Sequence, residues 1–193
     1  MNELTSLALE LQSFCELREW QFCMIGGLAV QHWGEPRFTR DVDMTLVTGF
    51  GNEEPFITEW LENYDSRIPD PVDFALANRV LLLRSVTGIG IDIALGALPF
   101  EEVAVARAVK VEMEPGARLR LCTAEDLIVM KAFADRPQDR LDLRGILVRQ
   151  GTEALDWHYI WECLTPLVAA KESPAIVSHL QSLHDAVCEE ETG

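Results

Sequence analysis

Residues 25–46 of this chain read IGGLAVQHWGEPRFTRDVDMTL. The two glycines, Gly26 and Gly27, stand at the end of an apolar run and at the start of a predicted short helix. A glycine turn that opens a helix can hold a phosphate group on its backbone N–H groups. The stretch ends in a predicted strand that carries Asp41 and Asp43. Side chains two positions apart in a strand point to the same face, so these carboxylates can share a divalent metal ion.

Each feature of this stretch also has a structural explanation. The glycines could serve only a tight turn with close packing, and the two aspartates could be a helix cap and an exposed strand position. A phosphate cradle beside metal-binding carboxylates is, however, the combination that nucleotide chemistry requires. The joint pattern is far less expected by chance than any of its parts, and it therefore favours a functional site.

The bulk properties indicate a globular protein. Its 193 residues fit one domain, or one domain with a small helical appendage. Hydrophobic residues make up 48% and charged residues 25%, which is ordinary for such a fold. No apolar run approaches the roughly 20 residues of a membrane span, and the acidic N-terminus does not resemble a signal peptide. We therefore expect a cytoplasmic protein with no membrane partner.

Charge and cysteine content narrow the function classes further. Sixteen basic residues stand against 32 acidic ones, which gives a net charge of −16. Because proteins that bind nucleic acid broadly present a basic face, we expect no broad nucleic-acid-binding surface here. Five scattered cysteines without a C-x-x-C pair argue against a zinc site and against a disulfide framework.

Hydrophobic periodicity divides the chain into an α/β core over residues 1–122 and a C-terminal helical region over residues 123–193. Strands are predicted over residues 21–25, 42–47, 79–86, 89–95, 110–113 and 118–122. Helices are predicted over residues 4–20, 28–33, 53–63, 99–109, 123–134, 137–149, 156–170 and 174–188.

Turn and cap residues complete this outline. Residues 65–72 contain two prolines and are predicted to be a loop, and Thr87-Gly88 is typical of a hairpin turn. Thr123 is predicted to cap the N-terminus of the helix that follows it. Residues 189–191 are three glutamates, which we expect to form a frayed acidic tail.

A third acidic residue, Asp92, lies in the predicted strand GIDIAL of residues 90–95. Its neighbours Ile91 and Ile93 face one side of the strand, so Asp92 projects to the other. An ionised carboxylate in an apolar strand is costly unless it is paired or bound to metal. The two explanations are a salt bridge, for which Arg84 is the candidate, and a place in the site of Asp41 and Asp43.

The order of a strand, Gly-Gly, a helix, a D-x-D strand and a later carboxylate strand resembles the nucleotidyltransferase superfamily with the DNA polymerase β-like fold. This resemblance implies a mixed β-sheet core flanked by helices, an α/β (α+β) fold, followed by a C-terminal helical bundle. It also implies that Asp41, Asp43 and Asp92 hold two Mg2+ (or Mn2+) ions and that an NTP is the donor substrate. Gly26 and Gly27 would contact its phosphates.

Residues 123–143, TAEDLIVMKAFADRPQDRLDL, resemble the helical half of AbiEii-type nucleotidyltransferases. The residues that match are a lysine inside a helix, an arginine near its end and an aspartate pair opening the next helix, namely Lys131, Arg136, Asp139 and Asp142. This toxin-like branch includes enzymes of bacterial type IV toxin–antitoxin systems, so the resemblance implies an antitoxin partner.

Lys131 and the two aspartates have structural and functional interpretations. Lys131, on a mostly apolar helix face, could extend to solvent or could be a catalytic cation held against the nucleotide phosphates. Asp139 and Asp142, three positions apart, could cap their helix and favour its dipole. Alternatively, Asp139 orients Lys131 or an incoming hydroxyl group.

Arg37 and Arg40 lie in the loop before Asp41. They could pair with Asp41 or with Glu35, or they could contact phosphate, since arginine makes bidentate contacts to phosphate oxygens. We favour the second interpretation, which places one of them near the active site.

These observations predict a metal-dependent nucleotidyltransferase that transfers a nucleoside monophosphate from an NTP to an acceptor hydroxyl. The acceptor remains open between a small molecule, a protein and an RNA end, with a toxin role among the candidates. The negative charge favours a small hydroxylated compound or a protein side chain. The alternative is a catalytically inactive module of the same fold that binds nucleotide or a partner protein.

Overall fold

The computed structural model describes residues 2–192. Its strands are β1 (Phe22–Met24), β2 (Asp41–Val47), β3 (Asp65–Ser66), β4 (Val80–Arg84), β5 (Gly90–Gly96), β6 (Val109–Glu114) and β7 (Ala117–Leu121). Its α-helices are α1 (Glu3–Glu16), α2 (Gly26–Trp33), α3 (Glu53–Leu61), α4 (Pro71–Asn78), α5 (Pro99–Arg107), α6 (Ala124–Ala134), α7 (Pro137–Gln150), α8 (Trp157–Lys171) and α9 (Ala175–Thr192). The predicted mixed α/β fold is confirmed.

The strands of residues 2–192 form one seven-stranded sheet in the order β3-β4-β5-β2-β1-β7-β6. The pairs β2–β5 and β1–β7 are parallel, and the other neighbouring pairs are antiparallel. Strand β2 therefore lies in the middle of the sheet, with β5 on one side and β1 on the other. This central position is what brings the D-x-D sequence next to the strand of Asp92.

One face of the sheet is covered by apolar side chains. Val42, Met44 and Leu46 of β2 are fully buried, as are Ile91 and Ile93 of β5. Leu7 and Leu11 of α1 and Trp60 of α3 belong to the same buried core cluster. Alternation in the two strands leaves the acidic residues on the opposite face.

Two compact units make up the described chain. Residues 2–28 and 38–122 form the first unit, and residues 29–37 and 123–192 form the second. This division differs from a single boundary after residue 122, because the end of α2 and the loop after it belong to the second unit. None of the helices within residues 2–192 combines the length and the apolar character that a bilayer crossing requires.

Several local predictions are confirmed by the structure. Strands β4 and β5 form an antiparallel hairpin, and Gly88 in its turn has a φ of 84°, in the region that favours glycine. The Thr123 side chain accepts a hydrogen bond from the Asp126 N–H at the start of α6.

Two local predictions are wrong. Residues 65–72, expected to be a loop, contain β3 and the beginning of α4. Pro71 suits the first turn of a helix, where its missing N–H is not needed, so the proline signal marked a helix start. Residues 189–191 continue α9 instead of forming a frayed tail, because Glu190 pairs with Arg144 and Glu191 accepts a hydrogen bond from Thr152.

Replacing Met44 by alanine should lower the free energy of unfolding by about 2–5 kcal/mol, because its buried side chain would leave a cavity in the core. Urea unfolding of the two proteins measures the difference. The fully exposed Val86 provides the control, and Val86→Ala should change the free energy by no more than about 0.5 kcal/mol. Equal effects of the two substitutions would contradict this description of the core.

Candidate active site

The parallel pairing of β2 and β5 brings three carboxylates together. Asp43 lies opposite Asp92 in the register of the two strands, and Asp41 lies opposite Gly90. Residues paired across neighbouring strands are about 5 Å apart, and alternate residues share a face. The side chains of Asp41, Asp43 and Asp92 therefore lie on the same face, opposite the apolar core.

The two glycines at the start of α2 lie against this carboxylate group. The Gly27 N–H donates a hydrogen bond to Asp43 Oδ2 at 3.3 Å. Gly26 has a φ of 58°, and a Cβ at this position would collide with the Asp43 carboxylate. A Cβ at Gly27 would collide with the Thr39 side chain. Both positions therefore exclude a side chain, which explains the Gly-Gly sequence and leaves the backbone at the helix start close to Asp43.

Asp92 forms an ion pair with Arg67, in which the guanidinium Nη2 donates to Asp92 Oδ1. The partner expected from the sequence, Arg84, pairs instead with Asp65, with 3.8 Å between Arg84 Nε and Asp65 Oδ2. Burial raises the pKa of Asp92 above its ordinary value. The Arg67 charge opposes this rise and the Asp41 charge adds to it, so the pKa remains raised.

The donor chemistry of this face fits a hard divalent cation, which prefers carboxylate oxygens. Within residues 2–192, no group of three or more histidine, cysteine, aspartate or glutamate side chains already has a metal-binding arrangement. Two of the three carboxylates have other partners, since Asp92 binds Arg67 and Asp43 accepts from Gly27.

In the second unit, Lys131 lies in a buried network of charges. Its Nζ donates to Asp139 Oδ1 and to Asp142 Oδ2, both at 2.8 Å. Arg37 donates two hydrogen bonds to the same Asp142 carboxylate, from Nε at 2.7 Å and from Nη2 at 2.9 Å. Arg136 Nε donates to Asp139 Oδ2 at 2.6 Å. The Lys131 side chain is only 8% exposed, so the alternative in which it extends to solvent is wrong.

Burial alone would raise the pKa of Asp142, but hydrogen bonds from Arg37 and Lys131 outweigh it and hold the pKa at about 2. For Asp139, hydrogen bonds from Arg136 and Lys131 likewise outweigh burial and lower the pKa. The Arg136 N–H also donates to Asp139 Oδ2, so this carboxylate caps α7 as well as binding Lys131. Both aspartates are therefore ionised partners of buried cations.

No protein-family model and no curated protein matches this chain. Solved structures do resemble it. An antigenic nucleotidyltransferase-like protein from Paracoccidioides brasiliensis is 16% identical, with 93% of this chain and 92% of that one covered and a TM-score of 0.54. The chain has the nucleotidyltransferase fold.

Two antibiotic-modifying proteins share this fold. The antibiotic-resistance factor ANT(2'')-Ia is 15% identical over 91% of this chain and 96% of its own, with a TM-score of 0.56. The lincosamide antibiotic adenylyltransferase LnuA, solved with lincomycin bound, is 13% identical over 75% of this chain and 98% of its own, with a TM-score of 0.51. The predicted nucleotidyltransferase resemblance is thus confirmed for the fold, and the AbiEii branch stays a prediction.

Within this nucleotidyltransferase fold, the predicted site residues fall into two groups, except Arg40, whose guanidinium carbon lies 5.7 Å from the centroid of the Phe38 ring. Gly26, Gly27, Asp41, Asp43 and Asp92 come together in the first unit. The second unit joins the residues of the Lys131 network, Lys131, Asp139, Asp142 and Arg37. The predicted contacts of Lys131, Arg37 and Arg40 with nucleotide phosphates and the predicted role of Asp139 at the nucleotide site stay predictions.

The sequence pattern did not indicate two of the contacts in the nucleotidyltransferase fold. Arg37 binds Asp142, which is 105 positions away, and no local signal could have paired them. Arg67 directly follows the short strand β3 and precedes the two prolines, in the stretch expected to be a loop. The only signal for it was the need of Asp92 for a counter-charge, which does not say where the partner lies.

Replacing Gly26 by alanine should destabilise the protein more than replacing Gly116, a matched control. Both glycines have positive φ, at 58° and 80°, so both substitutions carry backbone strain, on the order of 1–2 kcal/mol. Only a Cβ at position 26 meets another group, because nothing lies within 4 Å of one at Gly116. Thermal unfolding of both variants measures the difference. Equal melting temperatures would show that Gly26 is not crowded by Asp43.

The depressed pKa of Asp142 predicts acid-dependent stability. A carboxyl of ordinary pKa 3.8 that falls to about 2 on folding stabilises the native state above pH 3.8, by roughly 2 kcal/mol. That stabilisation is lost as pH falls through the folded pKa. Asp142→Asn should therefore be less stable than the wild type at pH 7, and the gap should narrow between pH 5 and pH 2. Urea unfolding at several pH values checks this, with the exposed Asp73→Asn as control; a gap independent of pH would contradict it.

Proposed function

We propose that this chain is a metal-dependent nucleotidyltransferase, which transfers a nucleoside monophosphate from an NTP to an acceptor hydroxyl group. The observation that carries the proposal is the shared face of β2 and β5. There, three carboxylates lie beside a helix start whose two residues have no side chains. The nucleotidyltransferase fold of the chain supports the same reaction class.

The residues of the first unit would bind the metal ion and the phosphates in this reaction. Asp41, Asp43 and Asp92 would hold Mg2+ or Mn2+. When bound, such an ion supplies positive charge that activates the attacking hydroxyl and stabilises the leaving oxygen. Gly26 and Gly27 let the start of α2 lie against Asp43, and the helix dipole there would favour the negative charge of the triphosphate.

The chemical step is a displacement at the α-phosphorus. The acceptor oxygen forms a bond to that phosphorus and gives up its proton to a base, while the bond to the oxygen that bridges to the β-phosphorus breaks. Pyrophosphate leaves, and the acceptor becomes a nucleoside monophosphate ester. The carboxylate face positions the two reacting groups in line, which is the main contribution that a protein makes to phosphoryl transfer.

We propose a small hydroxylated compound as the acceptor. One solved structure of this fold is a complex of ANT(2'')-Ia with adenylyl-2''-tobramycin, and another holds lincomycin. A net charge of −16 opposes the approach of RNA, which is itself a polyanion, and favours a neutral or cationic acceptor. An RNA end, a protein side chain and a toxin role with an antitoxin partner are the alternatives.

Asp43→Asn should reduce transfer of label from α-32P-labelled NTPs to an acceptor by at least about 100-fold, because one ligand of the proposed metal site loses its charge. The acceptors to be compared are a panel of aminoglycosides and lincosamides, total RNA and the protein itself. Asp73→Asn removes an equivalent charge from the exposed surface of α4 and should keep wild-type transfer. Wild-type turnover by Asp43→Asn would exclude the proposed metal assignment.

A catalytically inactive nucleotide-binding or partner-binding module is the second candidate. It is favoured by the ion pair between Arg67 and Asp92, which occupies a carboxylate that catalysis would need. Pyrophosphate release separates the two candidates. An inactive module would bind nucleotide, or nothing, and would release no pyrophosphate over hours with Mg2+ and the acceptor panel, whereas a nucleotidyltransferase would release one pyrophosphate for each acceptor modified.

A further inference from the structure

Arg67 is held beside the carboxylate face by its backbone. Its N–H donates a hydrogen bond to the Leu82 carbonyl oxygen of β4 at 3.0 Å. Leu82 in turn lies opposite Asp92 in the register of β4 and β5. Strand β4 therefore lies between the backbone of Arg67 and Asp92. The Arg67 guanidinium reaches across β4 to Asp92 Oδ1.

Gly90 provides the space that the guanidinium uses. A Cβ at this position would lie 3.0 Å from Arg67 Nη1 and 3.5 Å from the Asp41 Cβ. Gly90 also lies opposite Asp41 in the register of β2 and β5. The positive charge of Arg67 consequently lies over Gly90, close to the strand position of Asp41 as well as to Asp92.

A guanidinium and a divalent cation compete for the same carboxylate oxygens. Arg67 and Asp92 have side chains that are 31% and 29% exposed, so the ion pair is accessible to solvent. Ion pairs of this kind are weak and can be displaced. Once displaced, the guanidinium stays tethered to β4 by its backbone and can bind phosphate oxygens with its planar fork.

We propose that Arg67 is the internal counter-ion of the carboxylate site and makes cation binding depend on the nucleotide. A free cation must displace the guanidinium and leave it without a partner. A cation that arrives with an NTP brings triphosphate oxygens that bind the released guanidinium. Arg67 is thus a positioning residue for the triphosphate, and this inference rests on the proposed nucleotidyltransferase function.

The test measures binding of Mn2+, first alone and then with the non-transferable analogue α,β-methylene-ATP, by calorimetry. Arg67→Met should bind free Mn2+ about fivefold more tightly than the wild type, because it removes the competing charge. It should bind the Mn2+–analogue complex about tenfold more weakly, because it removes the phosphate contact. A purely structural role of Arg67 would not strengthen the binding of free Mn2+ while weakening the binding of the Mn2+–analogue complex.

Two variants control for charge and for side-chain shape. Arg118→Met removes one positive charge from β7, which is separated from β2 by β1, and should leave both affinities as in the wild type. Arg67→Lys keeps the charge and loses the planar fork, so it should restore wild-type binding of free Mn2+ but not of the analogue complex. Circular dichroism of each variant checks that it is folded.

The outcomes separate the two proposals. If Asp43→Asn abolishes Mn2+ binding while Arg67→Met binds free Mn2+ and the complex like the wild type, the role of Arg67 is overturned and the metal assignment stands. If Asp43→Asn binds Mn2+ like the wild type, the carboxylates do not hold the cation, and both the proposed function and the role of Arg67 are overturned.

Discussion

The parallel pairing of β2 with β5, in the register that sets Asp43 opposite Asp92, is the constraint on which the first unit depends. A slip of one residue would turn Asp92 into the apolar core and Ile91 or Ile93 onto the acidic face. The full burial of Val42, Met44, Ile91 and Ile93 opposes that slip. The same hydrophobic contacts that stabilise the sheet therefore hold three like charges together, which electrostatics alone would separate.

The carboxylates of the two units have different electrostatic surroundings. In the Lys131 network, each buried carboxylate has cationic partners at hydrogen-bond distance, and the pKa values of Asp139 and Asp142 are lowered. On the carboxylate face, burial and neighbouring charge keep the pKa of Asp92 raised despite Arg67. In the first arrangement, removing one partner would destabilise the fold, because it would leave a buried charge unpaired. The second places three carboxylates on one face of the sheet, which suits a site for cations.

Local signals in the sequence predicted much of this structure. The β4–β5 hairpin, the cap at Thr123 and the common face of Asp41 and Asp43 follow from turn chemistry, capping and strand alternation. That Asp92 lies on a neighbouring strand was implied by the resemblance to the nucleotidyltransferase superfamily. The prolines of residues 65–72 were misinterpreted, because proline is equally suited to a loop and to a first helical turn. The ion pairs of Arg67 and Arg37 were missed, since they join residues 25 and 105 positions apart and depend on the tertiary fold.

The central claim is that these three carboxylates hold the cation of a nucleotidyl transfer reaction. The measurement that tests it most directly is a crystal structure with Mn2+ and α,β-methylene-ATP, in which anomalous scattering locates the metal. The account predicts Mn2+ bound by carboxylate oxygens of Asp41, Asp43 and Asp92, with the phosphates near Gly26 and Gly27. Mn2+ bound elsewhere, or a nucleotide bound away from this face, would contradict it.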